Sequence, residues 1–359
     1  MKKDNFDPNS AATGDGIYGL PFTAEEASLV ILPVPWEVTV SYSAGTAGAP
    51  QAIFDASFQV DLYDPNVKDA WKLGIAMDSI DNELYDRSST LRELAEEYIN
   101  MFVKGVKLEE SPRMVEIRQK IEDAGLVMNH QVKTKALNYL DRGKKVAVLG
   151  GDHSTPLGLI EALAERHSGF AILQIDAHAD LRVAYEGFEF SHASIMYNAL
   201  KIPQVKQLVQ VGIRDYCEAE LDMINASPNI TTFFDHDMKR QMFEGKTWAT
   251  IADEVISTLP EKVYISIDID GLDPRFCPNT GTPVPGGMEY DQVLYLIEKL
   301  VRSKRTIIGF DLNEVAPGDD EWDANVAARL LYRVANLALA TSPRPSPQGE
   351  GEDSQKAGY

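Results

Sequence analysis

Apolar β-formers fall into short runs along this chain: "LVILPV" (29–34), "VAVLG" (146–150), "FAILQID" (170–176), "QLVQVGI" (207–213), "NITTFF" (229–234), "KVYISID" (262–268) and "TIIGFD" (306–311). The segments between them carry apolar residues at helical spacing. Nearly continuous apolar strands alternating with helices predict an α/β fold, a mostly parallel sheet with helices on both faces. The charged stretch 81–142, whose "LRELAEEYINMFV" is amphipathic, reads as a helical insertion or layer of the same domain, because no Pro/Gly/Ser linker sets it apart. The expected organisation is an N-terminal arm over 1–28, one domain over 29–340, and a disordered tail over 341–359, where "TSPRPSPQGEGEDSQKAGY" has no apolar periodicity.

Costly polar residues sit where these runs end. His153 follows the run 146–150 in "GGDHS"; Asp176, His178 and Asp180 close the run 170–176 as "DAHAD"; Asp268 and Asp270 close 262–268; Asp311 and Glu314 close 306–311. Alone, "GGDHS" reads as a strand-to-helix turn in which Asp152 or Ser154 caps the next helix. A lone Asp-X-Asp reads as a calcium or solvated loop, although the imidazole of His178 between two aspartates is a poor calcium ligand. The conjunction reads differently, because ligands bind in the crevice outside the carboxyl ends of parallel strands. An extended backbone over "DAHAD" would aim its three polar side chains to one side. Carboxylates gathered there raise one another's pKa and lose hydration. Divalent cations resolve that conflict, and carboxylates with two imidazoles suit manganese, or iron, nickel or zinc. The six candidate ligands His153, Asp176, His178, Asp180, Asp268 and Asp270 exceed the need of one ion and fit two ions sharing bridging carboxylates.

Charge narrows the partners. With 34 basic against 55 acidic residues the formal charge is −21, which speaks against nucleic acid and anionic membrane surfaces and suits a small cation. No apolar stretch is long enough to cross a bilayer. Cys217 and Cys277 cannot build a disulfide framework, and "MKKDNFDPNS" lacks the apolar segment of a signal peptide, so a reduced, cytoplasmic location is expected.

In this order, "GGDHS" (150–154), "DAHAD" (176–180), "SHAS" (191–194), "SIDIDGLDP" (266–274), "TGTPVPGG" (280–287) and "DLNEVAP" (311–317) resemble the ureohydrolase family, the arginases and agmatinases, over about 29–340. The resemblance implies a three-layer α/β/α sandwich, assembly as homotrimers or homohexamers, and hydrolysis of a guanidino group to urea and an amine. It also implies two divalent ions, manganese first and nickel second. Carried over by position, His153, Asp176, Asp180 and Asp268 match the ligands of one ion, and Asp176, His178, Asp268 and Asp270 those of the other. Glu314 matches the residue that holds the guanidinium, with Thr282 beside it. His192 matches a proton relay, and Asp180 a proton carrier to the leaving amine.

The departures fall away from these ligands. "AGAPQAIFDAS" (47–57) has Phe54 where the family commonly has arginine, and "SHAS" stands where a glycine is frequent. Between Leu181 and Phe190, the loop "LRVAYEGFEFSHAS" (181–194) lacks the asparagine and serine with which arginases read an α-carboxylate. It carries Glu186 and Glu189 instead, which favour a terminal ammonium and hence agmatine over arginine. Arg182 is the counter-argument. Trp36, Tyr185, Phe188 and Phe190 either narrow the pocket towards free guanidine or belong to the core. Two other classes are weighed: a single-metal deacetylase, which has no use for the surplus ligands, and a silent relative, which would have lost one.

Overall fold

The computed structural model describes residues 6–12 and 14–341. All seven apolar runs form strands, and they join one eight-stranded parallel sheet. Its strands are β1 (Leu29–Val34), β2 (Ile75–Met77), β3 (Lys145–Gly150), β4 (Phe170–Ile175), β5 (Val205–Ile213), β6 (Ile230–Phe234), β7 (Lys262–Asp268) and β8 (Thr306–Asn313). Their order is β2-β1-β3-β8-β7-β4-β5-β6. The strand that the pattern does not announce is β2, three residues on the edge.

Alternation along the strands divides the core in two. Leu29, Ile31, Ala147, Leu149 and Leu173 face α1 (Ala49–Ser57), α8 (Trp248–Ser257), α9 (Tyr290–Arg302) and α10 (Trp322–Ala340). Val30, Leu32, Val146, Val148 and Ile172 face α2 (Asn82–Val103), α3 (Pro112–Leu140), α4 (Leu157–Arg166) and α5 (Ile195–Leu200). Two shorter helices, α6 (Glu218–Ala226) and α7 (Asp235–Phe243), flank β6. The result is the three-layer α/β/α sandwich. Strands buried on both faces explain why their sequences are apolar throughout rather than alternating. Residues 14–28 lie against this body: Ile17, Tyr18 and Leu20 are buried, and the Tyr18 hydroxyl donates to the Ala328 carbonyl at 3.0 Å. The tail expected over 341–359 lies, beyond Thr341, outside the described residues.

The stretch 81–142 is a helical hairpin. Asp81 caps α2 by accepting the Leu84 N–H at 3.0 Å, and Ser111 caps α3 by accepting that of Met114 at 3.3 Å, with Pro112 in the first turn. Leu84, Leu91, Ala95 and Tyr98 form the buried stripe of α2. α3 packs on α4 so closely that a Cβ added at Gly158 would meet the Asn129 carbonyl oxygen at 2.3 Å. Among the described residues no helix is long and apolar enough to cross a membrane.

In this order β3, β8, β7 and β4 are contiguous, so their carboxyl ends share one edge of the sheet. Because Gly158 sets the approach of α3 to α4, Gly158→Val should destabilise the fold by about 1–3 kcal/mol. The check is thermal unfolding; an unchanged midpoint would mean that α3 is not held by this contact.

Candidate metal centre

The glycine pair at the end of β3 exists for close approach. A Cβ at Gly151 would lie 2.0 Å from the Trp36 carbonyl oxygen, and one at Gly150 would lie 1.9 Å from Asn313 Oδ1. The chain thus slips between the ends of β1 and β8. The capping role considered for Asp152 and Ser154 is not what the structure shows. α4 starts at Leu157 after Pro156 with no side-chain cap, and Asp152 instead accepts from the Ser154 N–H at 2.9 Å and from its hydroxyl. That local turn aims His153 inward.

His153 Nδ1 lies 3.1 Å from Asp176 Oδ2, 3.0 Å from Asp180 Oδ2 and 3.4 Å from Asp268 Oδ2. It is buried and has no hydrogen-bond geometry to any of them. The other ring nitrogen is engaged from behind. Ser266 Oγ lies 2.9 Å from His153 Nε2 and donates to Asp311 Oδ1 at 2.9 Å. Burial pushes Asp311 up to about 6, so it is still ionised at neutral pH and only accepts. The single Ser266 proton is therefore spent on Asp311, and the hydroxyl oxygen accepts from Nε2–H. Burial opposes a charge on His153, but Asp176, Asp180 and Asp268 outweigh it and raise the imidazole well above its ordinary pKa, so Nδ1 carries a proton among three carboxylates whose place a divalent cation can take. Among the described residues two groups of side chains are spaced to hold an ion, His153–Asp176–Asp268 and Asp176–His178–Asp270, and Asp176 belongs to both.

"DAHAD" converges by a turn, which corrects the extended geometry expected from its spacing. β4 ends at Ile175; Asp176 Oδ1 accepts the His178 N–H at 2.6 Å, and Asp180 takes φ +54°. Such a left-handed aspartate stores strain that the surroundings sustain. After β7, Asp268 Oδ1 likewise accepts the Asp270 N–H at 2.9 Å in a single 3₁₀ turn. His178 Nδ1 reaches Asp270 Oδ2 at 3.0 Å.

Charge is concentrated to the point of conflict. Burial, then neighbouring Asp176, pushes Asp180 up to about 7; burial, then Asp270, pushes Asp268 far above the carboxylate range. Burial would lower His178, but the Asp270 charge outweighs it and holds the imidazole at about 11. Burial also opposes ionisation of Asp270, yet His178 keeps it down at about 2. Without added cations, protons carry the compensating positive charge; divalent ions would displace them.

A cleft of about 470 Å³ opens from this cluster, lined by His178, Asp180, Arg182, Tyr185, His192 and Thr282 among others. A smaller inner pocket shares His192 and Thr282 with it and ends at Glu314. Glu314 has φ +61°, and its Oε1 accepts the His153 N–H at 2.8 Å. Burial, then Asp152, raises its pKa well above normal, so a cation placed there would relieve it. His192 is half-buried, and burial, then the His178 charge, lowers it to about 3.

Glu186 is not among the residues lining either space, contrary to the substrate contact expected of it. Tyr185 and Phe188 exchange backbone hydrogen bonds at 3.0 and 2.9 Å around Glu186 (φ +50°) and Gly187 (φ +89°), a two-residue hairpin turn that carries Glu186 away from the cleft. Of the four aromatics, Trp36 and Phe188 are core, Phe190 packs on Gly125, and only Tyr185 lines the cleft. The sequence reading missed the Val40–Ser43 wall and the carboxylates of Asp215 and Glu220. "IRDYCEAE" directly after β5 was the signal for the latter pair.

Comparison with known proteins now decides the class, because the Arginase family model matches residues 27–336. The chain belongs to the arginase family. It is 32% identical over 313 residues to the N(1)-aminopropylagmatine ureohydrolase of Thermus thermophilus, covering 87% of this chain and 91% of that protein. The agmatinase of Bacillus subtilis is 27% identical over 316 residues, covering 86% and 91%. The crystal structure of the agmatine ureohydrolase of Thermoplasma volcanium shares the fold with a TM-score of 0.67 at 23% identity, covering 91% of this chain and 95% of that one. An arginase-family ureohydrolase uses a binuclear metal centre, and the histidines and aspartates described here are able to bind one.

Because Asp176 serves both groups, Asp176→Ala should abolish retention of both ions, whereas Ser266→Ala should weaken metal affinity by roughly 10- to 100-fold while leaving the ligands in place. Elemental analysis after dialysis against graded chelator separates the two. Equal retention by Ser266→Ala and the unaltered protein would remove the relay from His153 to Asp311.

Proposed function

We propose that this arginase-family ureohydrolase acts on a guanidino compound ending in an amine, with agmatine first. The observation that supports this is the charge of the cleft beyond Glu314. Asp215 (side chain 68% exposed) and Glu220 both line it, where a distal ammonium would arrive. Glu220 already accepts the Leu181 and Cys217 N–H groups at 3.0 and 2.9 Å, so Asp215 is the freer carboxylate. An α-carboxylate would meet the same two charges and be repelled.

His153, Asp176, Asp180 and Asp268 would hold one ion and Asp176, His178, Asp268 and Asp270 the other. Bound divalent cations, manganese first and nickel second, supply Lewis acidity and lower the pKa of water. Glu314, itself buried, holds the guanidinium through a charge-assisted pair, with Thr282 beside it. Asp180 delivers a proton to the leaving amine. His192, neutral at physiological pH, passes protons between the cleft and solvent. Assembly of three or six copies belongs to the same proposal and rests on the family resemblance. A cytoplasmic location is supported by two free cysteines.

One observation favours a second reading, a guanidino acid: Arg182 lines the cleft. Its guanidinium stacks over Tyr185 at 4.9 Å and lies 3.8 Å from Glu220 Oε2, so its charge is already engaged. Free guanidine draws less support, since three of the four aromatics are turned into the body and leave the cleft open. The relative named for N(1)-aminopropylagmatine supports adding that longer guanidino amine as a candidate.

Urea release from a panel of agmatine, N(1)-aminopropylagmatine, arginine, a guanidino acid and guanidine tests the substrate. The highest kcat/KM should fall on agmatine or its longer analogue; a maximum on arginine or the guanidino acid would overturn the reading. Glu314→Gln keeps the acceptor for the His153 N–H but removes the charge. Turnover should fall by at least the worth of a charged hydrogen bond, about 1.5–3 kcal/mol, or roughly 10- to 150-fold. Metal content should stay intact, and ions lost together with Glu314 would make it a ligand instead.

A further inference from the structure

Five of the apolar strands carry a polar residue at one level of the sheet: Thr232 in β6, Gln210 in β5, Gln174 in β4, Ser266 in β7 and Asp311 in β8. Each is paired in register with the next, so the five side chains stand in one row. Gln174, Gln210, Ser266 and Asp311 are all 0% exposed, and Thr232 is half-buried. Polar groups buried this deeply are costly unless each finds a partner. Ser266 and Asp311 stand behind His153. The other three residues lead to Asp176.

The Thr232 hydroxyl donates to Gln210 Oε1 at 2.7 Å. Gln210 Nε2 donates to Gln174 Oε1 at 2.7 Å and to the Ala179 carbonyl at 2.9 Å. Gln174 Nε2 donates to Asp176 Oδ2 at 2.8 Å and to the His178 carbonyl at 3.2 Å. Both hydrogens of each amide are used. The sense of the row is fixed as well, because the carbonyls of His178 and Ala179 only accept. Each must face an NH2 group, which leaves each Oε1 to receive the donor before it. A buried network satisfied in this way is rigid.

The last bond falls on the carboxylate that belongs to both ligand groups. Asp176 Oδ2 receives Gln174 and lies 3.1 Å from His153 Nδ1; Oδ1 receives the His178 N–H at 2.6 Å and lies 3.8 Å from His178 Nδ1. Each oxygen spends one lone pair on a hydrogen bond and keeps the other. The carboxylate is thus held from both sides, with one oxygen turned to each imidazole.

We propose that Thr232, Gln210 and Gln174 are the rear support of the metal centre and that Gln174 is the positioning residue of Asp176, fixing which oxygen serves the group with His153 and which the group with His178. Gln174 lines neither the cleft nor the inner pocket. It acts on bound ions through the Asp176 carboxylate and, with Gln210, through the backbone of the "DAHAD" turn. The consequence for the ions rests on the metal centre described above; the support of the turn does not.

The test uses the full-length protein with Gln174→Met, Gln210→Met and Thr232→Val, and manganese as the probe. In dialysis against graded chelator, Gln174→Met should hold both ions about 10- to 100-fold more weakly. Gln210→Met keeps the Gln174 donors but frees that amide to turn, so its loss should be smaller, and that of Thr232→Val smaller still. Electron paramagnetic resonance of the manganese-loaded protein should show altered coupling between the ions in Gln174→Met, which a loss of packing alone would not produce. Without metal, amide exchange across 176–180 should be faster in Gln174→Met. Should that variant fail to fold, Gln210→Met against Thr232→Val decides by the same measurements. Manganese retention and coupling equal to those of the unaltered protein overturn the proposal, even with a lowered melting temperature, and so does loss of one ion with the other held as before. Should the unaltered protein hold no manganese, the metal centre itself fails, and unchanged exchange across 176–180 would then overturn the support of the turn.

Discussion

Too much negative charge in too small a buried space governs this molecule. Asp176, Asp268 and Asp270 are all at most 4% exposed, and with Asp180 they crowd two imidazoles. Like charges at such separations, stripped of water, cannot all be ionised unless positive charge stands among them. The fold tolerates the conflict because three of these carboxylates are fixed by the backbone as well as by their neighbours: Asp176 by the His178 N–H, Asp268 by the Asp270 N–H, Asp270 by the Ala177 N–H. These bonds stop the aspartates from rotating away into solvent. The ligand positions are therefore set by the fold itself, and part of the stability of the sheet edge depends on the positive charge among them.

The sheet makes that convergence cheap. Residues from 153 to 314 meet because β3, β8, β7 and β4 are adjacent, and register places their ends level. Rigid strand ends serve chemistry that tolerates little displacement. Support reaches a further layer back, since the Asp311 carboxylate that orients Ser266 also receives Asn313 Nδ2 at 2.5 Å, and Asn313 takes the Thr155 hydroxyl at 2.8 Å. One buried polar network thus runs beneath the metal ligands from β3 to β7 and β8. Each member is satisfied by the next, with Asp311 Oδ2 the atom left over.

What was legible in the sequence follows the same division. Apolar runs long enough to cross a two-faced core announce themselves, and seven did; β2, with three residues on the edge, needs little core and leaves little trace. The strand-end ligands were readable because their chemistry has few other uses. Their local geometry was not, since two-residue spacing implies an extended chain only while the strand continues, and the strand stops at Ile175. Glu186 was misplaced for a related reason: nothing in "YEGF" by itself says which way the loop faces, and the hairpin turn around Gly187 turns the carboxylate aside. The Val40–Ser43 wall left no signature because its partner, Arg92, binds a backbone carbonyl, which any residue offers.

Two parts of the active region therefore answer to different constraints. The inner end must hold charge at fixed distances, so it is built on strands and on glycines that admit backbone at close quarters. The outer end must match the length and charge of whatever trails behind the guanidinium, so it is built on loops, which can change without disturbing the ligands. Loops alone would be too soft to discriminate, because every side chain they present has to be immobilised when substrate binds. A helical hairpin laid across their backs supplies the missing stiffness without entering the cleft. The helical hairpin within 81–142, which contributes none of the metal-ligand candidates, therefore bears on the outer end through its contacts to the backs of those loops.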